Sequence, residues 1–278
     1  MPDWQHRCAR LPPARCRARI PAPSVGERWW AVRIKLLACE VFFREVCHLV
    51  AASPTTCDLE FLPKGLHDLG AERMVARLQE RVDAVEQGYD AVAMAYGICN
   101  NGVVGLAARG TRLVIPKAHD CMTLFLGDRK RYRQYFDANP GTYYRTSGWF
   151  EHASSGGAGE DTVPQKLGLF QDFRKLVEQY GEENAKYIME VMGDSTANYS
   201  RLTFINMGLP QDPGFRQRAA EEAARKGWTF DELQGSMELL RALIDGPWDD
   251  RFVVVEPGCA IKPVYTDPDE VICSCRPQ

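Results

Sequence analysis

Short apolar runs recur along this chain and alternate with stretches whose apolar residues fall at helical spacing. Arg33–Ala38 reads as a buried strand and Phe42–Val50 as a short helix. Cys57–Leu62 is a second strand, punctuated by Pro63-Lys64-Gly65. Met74, Val75, Leu78, Val82 and Val85 place a helix over Ala71–Gln87, with Gly88 as its stop. Tyr89–Tyr96 is a third strand, Gly102–Arg109 a helix, and Arg112–Lys117 a fourth strand. Helical stretches follow at Cys121–Leu126 and Arg129–Ala138. Gly141–Ser147, rich in Tyr and Thr, is a fifth strand, and His152–Thr162 a Gly/Ser-rich loop. Helices are then expected at Lys166–Tyr180, Glu182–Met192, Phe215–Lys226 and Ser236–Ile244. Strands are expected at Arg201–Asn206, Thr229–Leu233 and Phe252–Glu256.

This β-α-β-α order predicts an α/β fold, a mostly parallel sheet with helices on both faces. The renewed α/β pattern past residue 165 suggests two lobes around a cleft, 32–165 and 166–262. Residues 1–31 are rich in Arg and Pro and have no hydrophobic periodicity. They read as a disordered leader or a start assigned too far upstream. Residues 263–278 read as a loose tail.

Composition narrows the function classes. The 278 residues carry a formal net charge of −3 without a basic stripe, so no nucleic acid is expected as partner. No apolar run approaches the length of a membrane span, and no apolar segment near the N-terminus resembles a secretory signal. Ten cysteines in a chain of this length do not form the dense pattern of a small disulfide scaffold. A reducing, cytoplasmic location is the expectation, where clustered Cys and His point to metal or catalysis.

Candidate chemistry lies just past the strands. Cys39 follows the first, Cys99 the third and Cys121 the fourth; His67 follows the second, and His119 stands two residues before Cys121. In an open α/β sheet the loops past the carboxyl ends of the strands share one rim, where ligands bind. Three thiols with an imidazole make a first shell for zinc, or for a [4Fe–4S] cluster with one open iron. Cys39, Cys99 and Cys121 are the candidate metal ligands. His119 and His67 are candidates to complete the shell or act as acid/base, with Asp120 and Glu40 as carboxylates beside them; Asp120 could orient an imidazole or cap the following helix. Tyr96, Asn100 and Asn101 flank Cys99 in a Gly-containing turn. Tyr143, Trp149 and Glu151 belong to an aromatic segment whose faces could hold a cationic group, though aromatics in a strand also serve as core. These six are the candidate contacts to a small-molecule substrate. No Walker-type phosphate loop, Gly-x-Gly-x-x-Gly fingerprint or nucleophile elbow is present.

Ala38-Cys39-Glu40, Tyr96-Gly97-Ile98-Cys99-Asn100-Asn101-Gly102, His119-Asp120-Cys121, Pro140-Gly141-Thr142-Tyr143-Tyr144 and Gly148-Trp149 occur in order. In these motifs, from about Val32 to Ile261, the chain resembles the family catalogued as domain of unknown function 1638. Members are often encoded beside corrinoid proteins and methyltransferases of methylated-amine metabolism. The resemblance therefore implies one-carbon (methyl) transfer, with a methylated amine as substrate and a corrinoid protein as partner. Three readings follow: a zinc-dependent methyltransferase-type enzyme, a [4Fe–4S] lyase or redox enzyme, and a non-catalytic accessory protein of a corrinoid methyltransferase system.

Overall fold

The computed structural model describes residues 32–99, 101–152, 177–178, 180–186, 198–209, 214–264 and 272–274. The expected leader and most of the segment between the fifth and sixth strands lie outside these residues; of the helix expected from Glu182, residues 182–186 are described and helical.

A five-stranded sheet has the order β2-β1-β3-β4-β8. Its strands are β1 (Arg33–Cys39), β2 (Thr56–Leu62), β3 (Ala91–Ala95), β4 (Leu113–Pro116) and β8 (Phe252–Val255). The first four are parallel, and β8 runs antiparallel to β4. Parallel strands covered on both faces are apolar throughout rather than alternating. Accordingly every residue of β3 and β4 is buried, as are Leu36–Cys39 of β1. The edge strand β2 instead carries charge: Asp58 pairs with Arg33 at 2.5 Å and Glu60 with Lys35 at 2.9 Å. Charged side chains on an edge discourage pairing with another chain.

Helices α1 (Phe43–Ala52) and α2 (Ala71–Asp83) follow β1 and β2. Past β4 come α3 (Cys121–Leu126) and α4 (Arg129–Ala138), each capped by a side chain. Asp120 accepts from the Met122 and Thr123 amides, and Asp128 from the Arg131 amide. A second, parallel sheet of order β5-β6-β7 joins β5 (Thr142–Arg145), β6 (Arg201–Asn206) and β7 (Thr229–Gln234). Helix α6 (Phe215–Lys226) lies between β6 and β7 in sequence and buries Phe215, Ala219 and Ala223 against Leu202 and Phe204. The short α5 (Ser147–Glu151) follows β5, and α7 (Glu238–Asp245) packs on β3, β4 and α1.

The α/β class and the mostly parallel sheet are as expected. β5 comes from before residue 165 and its partners from after it, while β8, beyond that residue, completes the first sheet. Strand pairing thus links both sides of the expected 165/166 boundary.

Two local expectations are corrected. Gly102–Arg109 is not a helix. Its backbone is taken by a later segment: Gly105 N donates to Ile261 O, Ala108 N to Cys259 O, and Ile261 N to Leu106 O, each at 2.9 Å. The tail is not wholly loose: β9 (Ile261–Pro263) pairs antiparallel with β10 (Ile272–Ser274), and Ile272 is fully buried in the main core. Both corrections arise from pairing between segments distant in sequence, which periodicity within one segment does not register.

Residues past the second sheet's strands touch residues past the first's. Gly148 of α5 lies so close to the turn after β1 that a Cβ there would stand 1.8 Å from the Val41 carbonyl oxygen. Ser236, two residues past β7, donates from its amide to Phe125 O at 2.8 Å.

Candidate functional site

In the order β2-β1-β3-β4 the chain leaves β1 toward one edge and returns to its other side at β3. The crevice at the carboxyl ends of β1 and β3 is therefore the topological switch point, where open α/β sheets bind ligands. Cys39 is the last residue of β1, Tyr96 follows β3 directly with Cys99 three residues on, and Cys121 opens α3 past β4.

The loops after β3 and β4 are laced together. Ile98 N donates to Ala118 O at 2.9 Å and Cys99 N to His119 O at 3.1 Å. Gly97 fits because it has no side chain: a Cβ there would stand 2.7 Å from Asp120 Cα. Cys99 and Asn101 have φ of 45° and 65°, the left-handed region that a Cβ disfavours. Backbone strain of this kind persists where the surroundings impose it, and it clusters at functional sites.

Each of the three sulfurs faces an N–H group. The Val41 amide faces Cys39, and the Gly97 and Cys121 amides face Cys99. The Trp149 indole N–H approaches Cys121 and favours its thiolate, although it falls short of a well-formed hydrogen bond. Cys39 Sγ lies 3.7 Å from His67 Nε2. The thiols also act on one another: a thiolate at Cys99 or Cys39 would oppose one at Cys121. Burial is nevertheless the largest influence, pushing Cys39 and Cys99 up to about 12 and raising Cys121 well above the ordinary thiol value. Burial likewise pushes His67 down to about 4, with the Lys64 charge acting in the same direction. At neutral pH the metal-free site holds three thiols and a neutral imidazole. Among the described residues, no three Cys, His, Asp or Glu side chains are grouped so as to hold a metal ion.

Near the thiols stand buried polar atoms without hydrogen-bond partners: Tyr96 Oη and Trp149 Nε1. Leaving such a group unsatisfied costs about 1–3 kcal/mol each, and each calls for an explanation such as a ligand or ion. Asp120, by contrast, is fully used. Its Oδ1 caps α3 and its Oδ2 accepts from Tyr132 Oη at 2.9 Å. The capping alternative weighed from sequence is the geometry observed.

The remaining candidates separate. Glu40 Oε1 accepts from the Lys64 amide at 2.8 Å and Oε2 lies 3.3 Å from His152 Nδ1, so Glu40 ties the loop after β2 to the turn after β1. The His119 side chain is exposed, and it is its carbonyl that holds Cys99. Glu151 is held by Arg44 Nε at 2.7 and 2.8 Å. Tyr143 packs in the second sheet's core against Tyr199 and Trp228, away from the thiols. Asn101 is exposed, and Asn100 lies outside the described residues. Trp149 is at the site, with Lys64 Nζ 4.8 Å from its ring centre.

Sequence reasoning passed over Lys64, read only as punctuation between Pro63 and Gly65, and Tyr132. Tyr132 sits in a helix with no buried face, so no apolar stripe marked it. It also missed Glu45, whose carboxyl is 1% exposed with neither oxygen partnered. Burial raises Glu45 to about 7, and Glu151 adds to the effect.

The model of one protein family, described as "Protein of unknown function (DUF1638)", matches residues 61–244. That span includes His67, Tyr96, Cys99, Cys121 and Trp149 and begins after Cys39 and Glu40. No curated protein and no solved structure matches. No described helix is long and apolar enough to cross a membrane.

Proposed function

The chain belongs to the DUF1638 family, and from that premise we propose that its strand-end rim is a thiolate metal centre formed by Cys39, Cys99 and Cys121. The ion is zinc, and the task is methyl-group transfer. The observation that carries this reading is the backbone of Cys99. A sulfur is kept at a left-handed position, where glycine would be relaxed, inside a loop whose amides face it and its neighbours. A cysteine needed only for packing has no reason to sit there.

The donor set suits a soft ion, since sulfur ligands select zinc and iron–sulfur clusters. The shell is not preformed. A step between staggered χ1 wells re-aims each sulfur, and ligand deprotonation accompanies metal uptake. Zinc would supply stabilisation of thiolate charge at neutral pH. The chain's own residues do the rest: Asp120 fixes the start of α3 and hence Cys121, His67 borders Cys39, and burial keeps water from the sulfurs. The Trp149 face already carries one cation, the Lys64 ammonium. A methylated ammonium fits the same kind of surface, which favours a methylated amine as the small-molecule substrate. A corrinoid protein is the matching partner for the methyl group.

The test is metal analysis of protein purified without oxygen, wild type beside Cys99→Ala and Cys121→Ala. About one zinc per chain, lost in both variants, is the expected result for a single thiolate centre. Several irons with acid-labile sulfide would replace zinc by a cluster, and protein without metal would refute the reading.

A further inference from the structure

Along the rim the acceptors are used and the donors are idle. Glu40 accepts from the Lys64 amide at 2.8 Å and faces His152 Nδ1 at 3.3 Å. Asp120 accepts from the α3 amides and Tyr132 Oη, and Glu151 accepts from Arg44 Nε. Tyr96, by contrast, is 1% exposed with its Oη unpartnered, and the Trp149 indole N–H is buried without a partner. Lys64 is half-buried, and among the described residues its ammonium makes no ion pair, not with Glu40 and not with Asp68 four residues on. Its contact is the Trp149 ring, whose centre lies 4.8 Å from Nζ.

Local structure aims this ammonium at the rim. Lys64 opens the 3-10 helix Lys64–Leu69 after β2, and in such a turn the side chains at i and i+3 eclipse. His67 is the i+3 residue. Its Nε2 lies 3.7 Å from Cys39 Sγ at the end of β1, and its ring 6.2 Å from that of Tyr96 at the end of β3. Lys64 and His67 thus leave the same side of one turn, Lys64 toward α5 and His67 toward the strand ends. A charge taken partly out of water is ordinarily paired, and an aromatic face leaves the charge of Lys64 in place. The group missing from this set is an anion.

The methylated ammonium argued above makes the need sharper. On the Trp149 face it would stand beside Lys64 Nζ, and like charges a few ångströms apart repel. A carboxylate on the same molecule turns that repulsion into an ion pair, drawing the lysine from the ring to the oxygens. One ammonium matches one carboxylate; a phosphate would call for the Gly-rich loop that this chain lacks.

We propose that Lys64 is the anion-binding residue of this rim, and that its ligand is a small methylated ammonium carrying a carboxylate a few bonds away. The ammonium end rests on the methylated-amine reading above. The carboxylate end rests on the idle donors, and neither end needs a metal.

The experiment is ligand-observed NMR and calorimetric titration of the full chain, wild type beside Lys64→Met, which keeps an apolar stem without the charge. The probes are trimethylammonioacetate, choline, which has a hydroxymethyl group in place of the carboxylate, and acetate. Wild type is expected to bind trimethylammonioacetate at least about tenfold more tightly than choline, the size of one hydrogen bond to a charged group. Lys64→Met is expected to bind the two alike. Circular dichroism checks that the fold is retained, and Lys64→Gln takes the place of the Met variant if that is unstable. Wild type that binds acetate as tightly as trimethylammonioacetate, and loses both in Lys64→Met, overturns the ammonium end and leaves Lys64 as the carboxylate site. Equal binding of trimethylammonioacetate and choline by wild type, or a preference that persists in Lys64→Met, overturns the Lys64 assignment alone. Binding of none of the three overturns both.

Discussion

Replacing Gly97 by alanine tests whether the two cysteine-bearing loops are held in the register described. The added Cβ would lie 2.7 Å from Asp120 Cα and 2.9 Å from the adjacent backbone N and C atoms. Ordinary contact begins near 3.4 Å, so the loops must part by about 0.7 Å, and the obstacle is backbone rather than a side chain that can swing away. Overpacking of this kind costs about 1–3 kcal/mol. The bonds from Ile98 to Ala118 and from Cys99 to His119 weaken with it, at about 0.5–1.5 kcal/mol each. The expected loss is about 2–6 kcal/mol, and for a chain of this size a Tm lower by roughly 4–24 °C. Gly110→Ala is the control, because no atom lies within 4 Å of the Cβ it would add. Thermal unfolding of wild type and both variants decides the matter. Alkylation of Cys99 and Cys121 should also be faster in Gly97→Ala, since the loops that shield them have parted. A Gly97→Ala protein as stable as Gly110→Ala, with unchanged alkylation, would refute the packing of these loops and the convergence of thiols that depends on it.

Two further outcomes are expected. Burial holds Glu45 at about 7, above its usual 4.5, so folding takes up a proton between those values. Stability then falls as pH rises through that window, by up to about 3 kcal/mol. Urea unfolding of Glu45→Gln should show a gain above pH 7 and none below pH 4.5; an unchanged pH profile would mean the carboxyl has a partner. Cys99→Gly should unfold at higher urea than Cys99→Ala, by about 1 kcal/mol, because glycine relieves the left-handed backbone. Equal midpoints would remove the strain argument for Cys99.

The parallel strands were legible because burial on both faces leaves nearly unbroken apolar runs. Arg201–Asn206 matches β6 at both ends, and Leu113–Pro116 lies inside the expected Arg112–Lys117. Helices with a clear cap or stop were equally legible: Arg129–Ala138 follows its Asp128 cap, and Phe215–Lys226 is closed by Gly227. What escaped is long-range. The 102–109 segment has apolar residues at spacings that fit a helix, yet its amides and carbonyls are claimed by residues some 150 positions later. The alternation past residue 165 gave no sign that β5 pairs with β6 while β8 returns to the first sheet. At the site, residues that end strands were found and residues that merely face them were not, because facing is set by strand order. Lys64 reaches Trp149 only when α5 docks on the turn after β1.

The same strand order explains why the three cysteines share one rim. Parallel strands deliver their carboxyl ends to one rim, and the order β2-β1-β3-β4 sets the ends of β1, β3 and β4 side by side. Three cysteines 60 and 22 positions apart in the chain thereby become near neighbours. Strand adjacency alone accounts for proximity but not for the local details. Packing does not require the left-handed φ of Cys99, the methyl-free contact of Gly97 with Asp120, the pressed backbone at Gly148, or an indole N–H without a nitrogen or oxygen partner. The left-handed Cys99 and the unpartnered indole N–H each cost the fold something, and the two close approaches are open only to glycine. The thiolate centre proposed above is an occupant that would accept from that indole and from the amides facing the sulfurs.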